Sequence, residues 1–183
     1  MKMKKGIILV MCFLVGNIIF AQKMITRAGE VKFEASMPAF EEIAGTNSTV
    51  SCILDESTGD FVALVLIKAF KFKSPLMEEH FNENYMESSK FPKATFKGKI
   101  TNFDAKKLSA TKSTYDLEGD LTIHGVTKKI KTKISLVLNG AKINASSAFM
   151  VKPQDYNIEI PSLVKDKIAE NVKVLMNFPL EAN

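Results

Sequence analysis

Residues 115–140 read YDLEGDLTIHGVTKKIKTKISLVLNG. Tyr115, Leu117, Gly119, Leu121 and Ile123 alternate with Asp116, Glu118, Asp120, Thr122 and His124. After Gly125 a second run begins, with Val126, Ile130, Ile134, Leu136 and Leu138 opposite Thr127, Lys129, Lys131 and Lys133. A period of two over two successive runs is the pattern of half-buried antiparallel strands, one face on a core and one in water. Asn139-Gly140, at the end of the second run, predicts a two-residue hairpin with positive φ at both of its central residues.

The same alternation extends in both directions. Val31, Phe33 and Ala35 face away from Glu30, Lys32 and Glu34; Val50, Cys52 and Leu54 from Ser51 and Asp55; Ala94, Phe96, Gly98 and Ile100 from Thr95, Lys97 and Lys99. Val172, Val174, Met176, Phe178 and Leu180 form the last run. The spacing predicts eight strands, near residues 24–36, 47–55, 60–72, 93–103, 114–124, 126–138, 141–152 and 171–180. No repeat or Pro-rich linker divides them, so one all-β domain is expected.

Two segments depart from the alternation. Phe61 to Phe70 is apolar on both faces apart from Lys68, so its outer face requires a helix, a loop or a second subunit as cover, and homodimerisation through it is one expectation. Ser74 to Met86 offers such a cover: Ser74 suits an N-cap and Pro75 the first helical position, and Met77, Phe81 and Tyr85 recur every four residues. A shorter helical turn is expected after Pro161, through Leu163 and Ile168.

The N-terminus opens with Lys2, Lys4 and Lys5, then runs apolar from Gly6 to Phe20 with only Asn17 interrupting. This is the layout of a secretory signal peptide ending at Ala21, and it is too short for the roughly 20 apolar residues of a spanning helix. Lipid attachment at Cys12 is disfavoured by the bulk of Met11 before it. The expected division is a signal peptide over 1–21 and one domain over 22–183, exported to the periplasm or beyond. Losing three lysines lowers the net charge from +5 to +2, which gives no basic surface of the kind nucleic acids require. Cys52 then stands alone, so no intrachain disulfide can form.

Eight antiparallel strands with one apolar face suggest a closed or nearly closed barrel, which either fills itself with side chains or holds one small ligand. Periodicity leaves both open. The motifs add a resemblance. Glu118 to Lys128, EGDLTIHGVTK, resembles the hallmark run of the YceI-like family, and Met77-Glu78-Glu79-His80-Phe81 followed by Phe91-Pro92-Lys93-Ala94-Thr95-Phe96 resembles that family's helix and strand entry, in the same order and at similar spacing. The resemblance extends from near Ile25 to Phe178. It implies an extended eight-stranded antiparallel lipocalin-like barrel with a short helix beside it. It also implies a polyisoprenoid, isoprenoid quinone or fatty-acid amide carried or stored in the barrel, usually in the periplasm. Thr26 to Glu30 and Tyr85 to Ser88 depart from runs common in the family, which leaves the ligand's identity open.

A long apolar ligand needs apolar wall more than hydrogen bonds. The inward residues Phe33, Cys52, Phe96, Leu121, Ile134, Leu136, Phe149, Met176 and Phe178 are therefore the expected lining, with Met77, Phe81, Tyr85 and Phe91 closing one end. Tyr85 or Tyr156 can offer a hydroxyl to a polar head group. Catalytic chemistry finds little support. His80 and His124 lack metal-ligand spacing, His124 reads as a hydrogen-bonded residue of a tight turn, and Cys52 reads as a core residue. Asp116, Glu118 and Asp120 share an outward face. No nucleophile elbow, phosphate loop or dinucleotide fingerprint occurs, so no enzyme and no cofactor are expected. The basic loop Lys106, Lys107 and Lys112 and the rim Lys128, Lys129, Lys131 and Lys133 read either as protected strand edges or as transient contacts with an anionic membrane. The competing reading is a filled barrel that acts as a stress-related or structural interaction domain.

Overall fold

A computed structural model describes residues 23–37 and 40–183, so the expected signal peptide lies outside the described residues. Eight strands, β1 (Lys23–Ser36), β2 (Ala44–Asp55), β3 (Asp60–Leu66), β4 (Lys93–Ile100), β5 (Ser113–Ile123), β6 (Val126–Asn139), β7 (Lys142–Val151) and β8 (Ile168–Ala182), pair in sequence order. All neighbours are antiparallel, and β8 returns to β1 to close the barrel. Closure pairs every edge, which removes the aggregation hazard that an open edge strand presents.

In such a meander the connections alternate between the two ends. At one end lie the short β2–β3 and β6–β7 turns, the β4–β5 loop, Lys23 at the start of β1 and the C-terminus. At the other lie the β1–β2 loop, the tight β5–β6 turn, and two long connections, residues 67–92 and 152–167. The first carries a 3₁₀ turn (Ile67–Ala69), the helix α1 (Pro75–His80) and a π-helical turn (Phe81–Tyr85). The second carries 3₁₀ turns at Pro153–Tyr156 and Ser162–Val164.

The expected strand over 60–72 is interrupted at Leu66. Asn47, fully buried on β2, donates its side-chain amide to the Leu66 carbonyl at 2.9 Å, occupying an acceptor that a continuing ladder would use. Ile67 donates instead to the Pro92 carbonyl, and only Lys71 returns to pair with Thr46. The expected helix over 74–86 is α1 plus the π turn, in which Met86 N–H reaches back five residues to the Phe81 carbonyl at 2.9 Å. It does not cover the outer face of β3. Val62, Leu64 and Leu66 stay exposed, as does Ile53 beside Val62 on β2, because α1 sits across the barrel end instead. The helical turn expected through Ile168 stops at Val164, and Ile168 already opens β8.

The β6–β7 turn also differs from expectation. Asn139 pairs with Lys142, so Gly140 and Ala141 are the central residues, and only Gly140 has positive φ (62°). That is the requirement of a II′ turn, not of I′. The turn with positive φ at both positions is β5–β6, where Ile123 pairs with Val126 around His124 (50°) and Gly125 (75°). Histidine tolerates this region better than most residues, and glycine meets no steric barrier there.

Candidate functional site

Inward-facing side chains fill the barrel unevenly. The half nearer the termini is solid: Leu54, Ile100, Leu136, Ile143 and Leu180 are wholly buried in one cluster. Above it, stacked Phe61 and Phe178, with ring centroids 6.1 Å apart, form a floor, and Phe96 lies edge-on to Phe61 at 6.3 Å. Phe96 adopts this position because Gly98 and Gly119 face each other across β4 and β5. A methyl group on Gly98 would lie 2.5 Å from the Phe96 ring, and one on Gly119 2.7 Å from it. The two glycines thus make the bed on which the ring rests, a close approach that only a missing Cβ permits.

Over that floor is a cavity of about 390 Å³, within the range of small-ligand pockets. Its walls include Val31, Phe33, Val65, Phe96, Leu121, Ile130, Phe149, Val174 and Met176. Its cover comes from the two long connections: Ile67, Phe70, Phe72, Met77, Phe81, Tyr85 and Met86 from one, and Pro153, Ile158, Ile160 and Val164 from the other. The cover is pinned by aromatic contacts. Phe81 stacks on Phe33 of β1 at 5.2 Å and touches Phe72 at 5.0 Å and Phe70 at 5.5 Å. Polar side chains among the lining residues are few: Thr95, Thr132, Tyr85, and at the mouth His80 and Lys167. No Asp or Glu of the described residues lines it. Burial pushes the Tyr85 phenol above its ordinary pKa, so it stays a neutral hydroxyl.

Nine of the residues expected from the sequence are brought together here: Phe33, Met77, Phe81, Tyr85, Phe96, Leu121, Phe149, Met176 and Phe178. Four are not. Cys52, Ile134 and Leu136 face inward but pack in the solid part of the core, because alternation identifies the inner face without showing how far along the barrel the cavity extends. Phe91 packs against His124 at the β5–β6 turn, 4.3 Å between centroids, and does not line the cavity. Tyr156 is buried outside the cavity, so of the two tyrosines only Tyr85 reaches it. The covering residues Ile67, Phe70, Phe72, Ile158 and Val164 were not expected: the first three fall in the expected strand over 60–72, whose apolar residues on both faces mark no inward side, and the last two lie in the β7–β8 connection, where no inward face was assigned.

His124 is the turn residue that its position suggested. Nδ1 lies 3.2 Å from the Tyr156 carbonyl and Nε2 2.8 Å from a Glu87 carboxylate oxygen. Both partners are hydrogen-bond acceptors, one on each side of the ring. This clamp ties the β5–β6 turn to both covering connections. Cys52 is 1% exposed, and burial pushes its thiol well above the ordinary range. Lys128 and Lys129 are exposed at the start of β6, beside the β5–β6 turn, and the other basic features are paired or lie at the opposite end. Lys131 and Lys133 bond Glu118 and Asp116 at 2.8 and 2.5 Å, and Lys106, Lys107 and Lys112 sit on the β4–β5 loop at the opposite barrel end. Among the described residues no three His, Cys, Asp or Glu are gathered to hold a metal, and no helix is long and apolar enough to cross a membrane.

Comparison with known proteins agrees with this architecture. The chain is similar to a polyisoprenoid binding domain from Saccharophagus degradans implicated in plant cell wall breakdown, at 18% identity, covering 89% of this chain and 99% of that one with a TM-score of 0.75. It is similar to BcnA of Burkholderia cenocepacia at 16% identity, covering 83% and 95%, TM-score 0.68. It is also similar to a Campylobacter jejuni YceI protein at 15% identity, covering 80% and 88%, TM-score 0.60. Identities this low establish the fold and nothing finer. No curated protein matches the chain. The family model described as the YceI-like domain matches residues 23–180, from the first strand into the last, and on that match the chain belongs to the YceI-like family.

Proposed function

We propose that the protein binds one long apolar lipid, a polyisoprenoid, isoprenoid quinone or fatty-acid amide, inside the barrel and carries or stores it without chemical change. The observation that carries this reading is the cavity above Phe61 and Phe178, whose wall is apolar almost throughout and whose few polar groups lie mainly toward its cover. Transfer of apolar surface from water is worth roughly 25 cal/mol per Å². A chain burying a few hundred Å² therefore gains several kcal/mol before the costs of ordering it. The similarity to a polyisoprenoid binding domain supports the same ligand class. Tyr85 is the hydroxyl placed to meet a carbonyl or amide at the ligand's polar end.

Export is part of the proposal. The N-terminal pattern supports export to the periplasm or outside the cell, and intact-mass measurement of the exported protein is expected to show a chain beginning at Gln22.

The test is to purify the protein without detergent, extract it with organic solvent and identify the lipids by mass spectrometry. One isoprenoid, quinone or fatty amide per protein is the expected result. Ala94→Phe, which builds a ring into the cavity from β4, is expected to abolish that lipid while leaving the barrel folded. An empty extract together with no thermal stabilisation by such lipids refutes the proposal and favours a barrel whose work lies on its surface.

A further inference from the structure

Each element bordering the cavity mouth sends one apolar side chain inward and a near neighbour outward. Ile67 lines the cavity and Leu66 is 51% exposed; Met77 lines it and Leu76 is 58% exposed; Val164 lines it and Leu163 is 92% exposed. On the β1–β2 loop Ile43 faces the cavity and Phe40 is 49% exposed. Among the described residues the turns at the opposite end of the barrel have no counterpart. Among those residues, that end's turns and loop expose Ser57, Thr58, Lys106, Lys107, Lys112 and Asn139, and none of the large exposed hydrophobic residues lies in them.

We propose that this rim is a docking surface for a phospholipid bilayer, with Leu66, Leu76, Leu163 and Phe40 entering the interfacial layer so that the mouth opens onto it. The inference rests on the lipid-carrying function proposed above, because a ligand insoluble in water must leave and enter through a lipid phase. Exposed apolar side chains grouped in this way mark an interaction site. Here they project from three separate connections and from the end of β3, rather than from one sheet or helix face of the kind that a stable protein partner covers over about 800 Å². Charge selects the kind of bilayer contact. The first long connection carries Lys68, Lys71, Lys73 and Lys90 against Glu78, Glu79, Glu83 and Glu87, and the second carries Lys152, Lys165 and Lys167 against Asp155, Glu159 and Asp166. Acids and bases thus balance around the rim, so attachment is apolar and needs no anionic lipid. This surface is distinct from the basic loop, at the opposite end, and from Lys131 and Lys133, which pair with Glu118 and Asp116.

The test is co-sedimentation of the purified protein with extruded phosphatidylcholine vesicles, at low salt and in 0.5 M (about a 4 Å screening length) sodium chloride. Binding is expected in both, changing less than about threefold, since screening acts on charges. Leu76→Ser with Leu163→Ser, neither of which lines the cavity, is expected to lower partitioning by about tenfold or more. Ile53→Thr with Val62→Thr, on the outer barrel wall, is expected to leave it within about twofold. Melting temperature checks that both variants fold, and lipid extraction on the same samples reports the cavity. No vesicle binding by the wild-type protein, equal binding by the rim variant, or a dimer in sedimentation velocity that the rim variant disperses, overturns the inference. Extracted lipid without vesicle binding defeats the docking surface alone. Vesicle binding by a protein that yields no extracted lipid removes the carrier reading and leaves the surface standing.

Discussion

Replacing Phe81 with alanine should loosen the cover of the cavity without loosening the barrel. Phe81 is held by Phe33 at 5.2 Å, Phe72 at 5.0 Å and Phe70 at 5.5 Å. A fully buried Phe→Ala change costs about 3–5 kcal/mol. Phe81 is only partly buried, so about half of that, ~2 kcal/mol, is the expected loss. When residues 75–86 lift away, all three contacts break, so the loss falls on this local opening. With ~1.4 kcal/mol per tenfold, the open population rises about thirtyfold. Native-state hydrogen exchange reads this directly. The amides of Glu78, Met86 and Ser88, bonded within the connection to Ser74, Phe81 and Asn82, should exchange about thirtyfold faster, while those pairing β5 with β6 keep their rates. Equal acceleration of β5, β6 and the cover would show that the cover and barrel open as one unit, and would refute the separation of a rigid container from a local lid.

Gly119→Ala places a methyl group 2.4 Å from the Gly98 Cα and 2.5 Å from the Lys97 carbonyl oxygen, main-chain atoms that cannot turn aside; a loss of about 1–3 kcal/mol is expected. Thermal melting should then fall by about 2–4 °C per kcal/mol, and an unchanged melting curve would contradict the close packing of β4 on β5. His124→Ala leaves the Tyr156 carbonyl without its donor and frees Glu87; about 1–3 kcal/mol of stability should be lost, with faster exchange in residues 87–91 and 153–158 than in β1 and β2. Cys52, buried with its thiol pushed up by desolvation, should resist iodoacetamide at pH 8 in the native protein and react fully in denaturant; rapid native labelling would mean that β2 is open to solvent.

Much of the barrel is legible in the chain because a strand buried on one face must alternate. Glu118, Asp120 and Lys131 are outward for the same reason that Leu117, Leu121 and Ile134 are inward, and such an alternating strand states its own orientation without reference to its neighbours; β3, apolar on both faces, does not. The helix was partly legible. The spacing of Met77, Phe81 and Tyr85 shows one apolar stripe, but not that its partner is Phe33 at the barrel end and not the outer face of β3. The end of β3 was hidden, because the residue that ends it, Asn47, lies 19 positions before the Leu66 carbonyl it binds. The site was legible as a face and not as a volume. Cys52, Ile134 and Leu136 have the same inward parity as Leu121 and Met176, yet they pack into the solid half of the core.

The sequence by itself therefore determined the strands, their inward faces, the position of the helix and the family, since each depends on local periodicity or a contiguous motif. Only the tertiary structure decided where along the barrel the core is solid and where it is hollow, what covers the hollow, and which end carries its mouth. Those properties depend on which inward side chains meet at the same height. Height is set by strand register and by the glycines opposite Phe96, through contacts between residues far apart in the chain.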